Sequence, residues 1–316
     1  MGSVDRHFAR VALCVCLLLA GAALLPSSAL AIDAPSVAAS APQSPAVDDE
    51  AARLRAMLQQ ESPGLITDTP QTEAAWVQLA QREFAAAGNR IDRAQLLVVV
   101  DRNPRAQEMR IVLAQPAGPW ASLGGVKVST GRPQGFEHFL TPTGVFRHTD
   151  RILDWRAEGT FNAHHVRGLG VAGMRVWDFG WQRAFKGWGA PGDIGRMRLL
   201  MHATDPARLQ RRIGRPASDG CIRLPDVMDR FLDAHGVLDA DYERAARRNP
   251  RFAQLLLPDR TPTPLAGDTL VVIDSSGNPP LAELGNRAAE AQPAPRHPPR
   301  HASRGHIRIA SAHRHR

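Results

Sequence analysis

The sequence predicts a fold that is mainly β with helices, an α+β architecture, and three observations carry that prediction. Short stretches rich in apolar and β-branched residues are punctuated by Gly, Pro and Asn between positions 95 and 202. Helical periodicity is confined to segments before position 88 and after position 206. The sheet is therefore built largely without helices between its strands.

The N-terminus reads as an export signal. Arg6 and Arg10 make a basic start, residues 11–25 are apolar, and Ala29-Leu30-Ala31 offers a small-x-small cleavage pattern, with cleavage expected after Ala31. The apolar run falls short of the roughly 20 residues that a helical span needs, so no stable membrane span is expected after cleavage. Leu13 and Val15 precede Cys14 and Cys16 where a lipoprotein signal requires a small residue. Residues 32–49 are Ala, Pro and Ser with little else, a tether. Residues 50–60 and 72–87 space Leu54, Met57, Leu58 and Trp76, Leu79, Phe84 at helical period, so 32–94 is a linker with two short helices.

From position 95 the pattern changes. Residues 96–100, bounded by Asn103-Pro104, pair with 109–113 as a hairpin, and 125–129 and 144–146 add strands. Residues 197–202 form an apolar strand ending in His202. The Trp- and Gly-rich stretch 155–188 has no clear period and reads as a lid or binding wall. Helices are expected at 206–213, at 225–234 with Pro225 in the first turn, and at 240–257, followed by a closing strand at 269–274. These segments form one domain, 95–274, and the Pro/Arg/His-rich residues 275–316 carry no apolar period and are expected to be disordered.

The chain has 316 residues, 43% hydrophobic, with 26 Gly and 25 Pro, which excludes global disorder but demands many turns. The formal charge is +8, and Lys127 and Lys186 are the only lysines beside many arginines. Such a surface favours anionic partners such as envelope polymers, and export argues against nucleic acid. If Cys14 and Cys16 leave with the signal, Cys221 remains without an intramolecular disulfide partner. A lone thiol of that kind is a core residue, an intermolecular cross-link or a nucleophile.

Its neighbours favour the nucleophile. Cys221 lies in Ser218-Asp219-Gly220-Cys221-Ile222-Arg223, nineteen residues after His202, a base fixed on a rigid strand end. Gly220 permits a sharp turn that presents the thiol and leaves backbone N–H groups near Gly220 and Cys221 free for an oxyanion. Other patterns are weaker. Gly168-Leu169-Gly170-Val171-Ala172-Gly173 fits G-x-G-x-x-G but neither follows a clear strand nor opens a helix. His164 and His165 are adjacent and match no zinc pattern, and Pro216 stands where a serine-hydrolase elbow around Ser218 needs Gly. No metal and no cofactor are expected. Trp177, Phe179, Trp181 and Trp188 serve as packing or as a groove wall.

The block His202-Ala203-Thr204-Asp205-Pro206, followed by residues 213–224 with Ser218-Asp219-Gly220-Cys221-Ile222-Arg223, resembles the signature of L,D-transpeptidases, the YkuD-type catalytic domain. Val128-Ser129-Thr130-Gly131 and Thr141-Pro142-Thr143-Gly144-Val145-Phe146 resemble that family's sheet segments in the expected order, and the resemblance covers about residues 95–274. It implies a mixed β-sheet catalytic fold with His202 and Cys221 at one edge of the sheet. It also implies that Cys221 attacks a peptidoglycan stem peptide to form a thioester, with His202 as base and then acid. The acceptor would be an amine of a neighbouring stem, with a wall-anchored protein as another acceptor; hydrolysis and mere binding of peptidoglycan are the alternatives. Ser218, Asp219 and Arg223 would contact substrate, Arg223 through a stem carboxylate. Two residues depart from the family pattern: Asp219 stands where a second histidine is usual, and a carboxylate there should raise the thiol pKa unless Arg215 or Arg223 compensates, while Arg223 stands in place of the Asn of the strict motif, which bears on substrate detail and not on the chemistry.

Overall fold

Two mixed β-sheets, of five and four strands, and five α-helices make up the described part of the chain, in agreement with the α+β prediction. The computed structural model describes residues 45–277; the expected signal (1–31), most of the tether (32–44) and nearly all of the basic tail (278–316) lie outside the described residues. In the first sheet the order is β3 (Ala121–Lys127), β2 (Glu108–Ala114), β1 (Gln95–Asp101), β9 (Thr269–Ile273), β4 (Gly144–Arg147), with β1 and β9 parallel and the other pairs antiparallel. The second sheet runs β5 (Trp155–Arg156), β6 (Arg175–Phe185), β7 (Ile194–Ala203), β8 (Ile222–Leu224), with β7 and β8 parallel.

The unbroken apolar run of β1 follows from cover on both of its faces. Leu96, Val98 and Val100 share one core with Trp177, Leu199, Met201, Ile222 and helix α3 (Asp226–Ala234), which brings the two sheets together. Leu97 and Val99 face the other way, against Trp76, Ala80 and Phe84 of α2 (Pro70–Ala86). The spacing of those three α2 residues is the helical stripe seen in the sequence, and Thr69 caps the helix by accepting from Thr72 N at 3.2 Å. Helix α1 (Pro45–Glu61) adds Ala51, Leu54 and Leu58 to the first core.

Several elements differ from the sequence expectation. Helix α1 begins at Pro45, inside the stretch read as tether. The stretch 155–188 contains the eleven-residue strand β6; its alternation is hidden by a register shift between Asp178 and Trp181, where Gly180 has φ +76°. The helix expected at 206–213 is reduced to a 3-10 turn at Gln210–Arg212, preceded by a single turn in which Asp205 Oδ1 accepts from Ala207 N and Arg208 N. The helix expected at 240–257 is two, α4 (Ala240–Ala246) and α5 (Pro250–Leu255), since Pro250 cannot continue α4 and Asn249 caps α5 by accepting from Arg251 N. No helix among the described residues is long and apolar enough to cross a membrane.

The strand expected at 125–129 ends at Lys127 because the chain there leaves one sheet for the other. Val128 N still donates to Gln107 O at 2.8 Å, whereas Ser129 exchanges both backbone bonds with Arg223, and Thr130 O accepts from Ala217 and Ser218. Residues 128–131 thereby tie the first sheet to the turn that carries Cys221.

Candidate active site

His202 stands near the end of β7, and the parallel register sets it beside Arg223 of β8, with Met201 beside Ile222. Cys221 is the residue before β8, the edge strand of the four-stranded sheet, and His202 lies on the neighbouring strand β7.

His202 is buried, and its Nδ1 lies 2.6 Å from the carbonyl oxygen of Ala203. A carbonyl only accepts, so Nδ1 carries the ring proton and Nε2 keeps its lone pair. Burial, together with the Arg223 charge and against the Ala203 bond, pushes the imidazole pKa down to about 4. The ring is a neutral base at neutral pH.

The sulfur lies against the β7 backbone, with Sγ 3.9 Å from Arg198 O and the Leu200 N–H directed at it. Burial pushes the thiol pKa up; Leu200 N–H and Arg223 pull it down, and Asp219 and Asp178 push it up again, leaving it raised. Asp178 is itself bound to Arg198, Nε to Oδ2 at 2.6 Å. The hydrogen bonds among the described residues do not link Sγ to the His202 ring, so the resting site is a neutral thiol beside a neutral base, not an ion pair.

The turn is fixed from inside and outside. Ser218 is fully buried; its hydroxyl donates to Cys221 O at 2.5 Å and accepts from Gly220 N at 3.2 Å, so it faces the turn and not a groove. Thr141 Oγ1 donates to Gly220 O at 2.6 Å and accepts from Gly131 N at 2.9 Å, while Phe139 N bonds Asp219 O. Gly220 has φ +132°, a conformation that demands glycine, whereas a Cβ there would first meet the flexible end of Met197, Sδ at 2.7 Å. Of the two expected oxyanion donors, Gly220 N–H is occupied by Ser218, whereas Cys221 N–H is not engaged among the described residues.

Arg223 donates through Nη1 to Ala217 O at 2.9 Å, and its Nε is buried with no partner among the described residues. Asp219 is 65% exposed, with Oδ1 3.2 Å from Nδ1 of His138. An imidazole thus does stand beside the residue before Gly220, but it comes from the 132–141 segment and Arg132 Nε reaches it at 2.5 Å. His138, Phe139 and the Ala203 carbonyl have no sequence signal of their own; Thr141 lies in a motif that pointed only to the sheet. Of the four aromatics, Trp177 and Phe179 are core, Trp181 is exposed, and Trp188 packs on Phe139 and Phe136 beside the turn. His164 and His165 sit on an exposed loop, and among the described residues no three His, Cys, Asp or Glu side chains are placed to hold a metal ion.

Because burial is the largest cause of the raised thiol pKa and Asp219 is mostly in water, Asp219→Asn should lower that pKa only slightly. The expected result is a rise of less than about tenfold in the rate at which iodoacetamide alkylates Cys221 at pH 8, since one pKa unit is a factor of ten in thiolate. A larger rise would make Asp219 the main brake on the thiol.

The chain matches no protein-family model and no curated protein.

Proposed function

We propose that this chain is an exported L,D-transpeptidase with the YkuD-type fold, acting on peptidoglycan stem peptides through a Cys221 thioester. The observation that supports the reading is the pairing of β7 with β8, with Cys221 on a glycine turn that leads into β8 and, on β7, a histidine whose Nδ1 is held by Ala203 O and whose Nε2 has no hydrogen-bond partner among the described residues. His202 would take the thiol proton as sulfur attacks the carbonyl between an L-centre and the following D-residue. The C–N bond breaks, the amine leaves with that proton, and an acceptor amine then displaces the thiol. Cys221 N–H is the oxyanion donor this geometry offers.

The test is intact-protein mass spectrometry after incubation with a disaccharide tetrapeptide. An adduct of the tetrapeptide less its terminal D-residue, absent in Cys221→Ala, is expected, together with peptide dimers; trimmed monomers in place of dimers would mean hydrolysis. A second reading, a peptidoglycan-binding module with damped chemistry, draws on the raised thiol pKa. Binding to isolated sacculi with no adduct at any pH would favour it and overturn the first.

A further inference from the structure

We propose that a basin beside the Cys221 turn, formed by Arg132, Arg211, Arg212 and Arg215, is a binding site for a small oxyanion carrying at least two negative charges. These four side chains, with Pro216 and Ala217, line a concavity of about 400 Å³. Where arginines meet other charges elsewhere in this fold they meet carboxylates: Arg110 with Asp68, Arg156 with Asp233, Arg260 with Asp239. In the basin they do not. Arg132 reaches His138 and Arg215 reaches the backbone oxygen of Arg211, and among the described residues none of the four forms an ion pair with a carboxylate.

Like charges gathered around one concavity repel, and the repulsion reaches Arg223, whose charge is disfavoured chiefly by burial and further by Arg212 and Arg132. Such a cluster is relieved by a multivalent anion, and guanidinium forks fit the paired oxygens of carboxylate and phosphate alike. A volume of this size admits a small di- or tricarboxylate or a diphosphate. The basin wall at Ala217 also holds Arg223 Nη1, so an occupant would sit one residue away from the turn that bears the nucleophile. The inference does not depend on the reaction proposed at Cys221.

Titration calorimetry of the full chain with inorganic pyrophosphate and, separately, with citrate at low salt tests it. Binding is expected to weaken at least tenfold in Arg211→Gln/Arg215→Gln and to weaken with added salt. It should be unchanged in Cys221→Ala and in Arg247→Gln/Arg248→Gln, which removes the same charge from an exposed stretch after α4. Pyrophosphate alone would mark a phosphate site, citrate alone a carboxylate site, and both a general oxyanion site. No binding of either anion, or equal loss in the two arginine pairs, overturns the proposal; thermal melting of each variant establishes that it is folded.

Discussion

His202→Ala is expected to slow acylation of Cys221 by about 10²–10⁴-fold, the range for loss of a positioned general base. The size follows from the resting protonation states. A thiol raised by burial supplies little thiolate at neutral pH by itself, so proton removal must accompany attack, and the ring with its pKa near 4 is unprotonated and available. The sign of the pH dependence follows as well. Below about pH 4 the imidazole is protonated and acylation should fail; from there to neutrality the rate should be flat. Simple alkylation by iodoacetamide, which needs thiolate and no substrate, should instead climb steadily above the ordinary cysteine range. An alkylation curve with an inflection between pH 4 and 7 would reveal a preformed thiolate–imidazolium pair and refute the neutral resting state. Acylation that survives His202→Ala undiminished would remove the imidazole from the chemistry.

What the sequence made legible and what it concealed divide along physical lines. The hairpin of β1 and β2, the strand ending in His202 and the turn at Gly220 are written in local residues: β-branched runs, a strand end, a glycine that needs positive φ. Strand β6 is masked further because its apolar positions Val176, Trp177 and Phe179 are preceded by Arg175 and interrupted by Asp178, whose burial is compensated by Asp154 and Arg198 from other parts of the chain. The same limit applies at the site. Cys221 and His202 announce themselves by residue type and setting, yet the neutral state of the pair is set by burial, and His138 arrives beside Asp219 by a long-range contact with no signature. Ser218, read as a substrate contact, is consumed by the turn, a bond pattern that depends on where Cys221 O points.

The largest loss of stability is expected from a residue with no part in the proposed chemistry. Arg175 is completely buried, with Nε 3.0 Å from Asp154 Oδ2, Nη2 3.2 Å from Asp239 Oδ1 and Nη1 3.6 Å from Asp233 Oδ1. His148, Arg260 and Arg156 share the charge balance, His148 Nε2 on Asp154 at 2.8 Å, Arg260 Nη2 on Asp239 at 2.6 Å and Arg156 Nη1 on Asp233 at 2.8 Å. Burial disfavours the Arg175 cation, but the three carboxylates outweigh it and raise its pKa. Replacing it with Met keeps volume but takes one cation out of a buried cluster in which Asp154 keeps His148, Asp239 keeps Arg260 and Asp233 keeps Arg156, so the cost should be at the low end for breaking a buried ion pair, about 3 kcal/mol. Burial would also lower the His148 pKa, but Asp154 and Asp239 raise it. In Arg175→Met the repulsion from Arg175 is gone, so His148 should hold its proton more firmly and recover part of the loss. A raised His contributes stability that is complete below its unfolded pKa and declines as pH rises through the folded one, so the variant should be least impaired in mild acid and most impaired at pH 8. Urea unfolding at pH 5.5 and pH 8 reads both effects as a lower midpoint at constant slope, larger at the higher pH. Asp154→Asn in the same chain removes the negative charge that is in excess once His148 has lost its proton and should restore part of the stability at pH 8; a double variant no better than Arg175→Met would mean that packing, and not uncompensated charge, sets the loss.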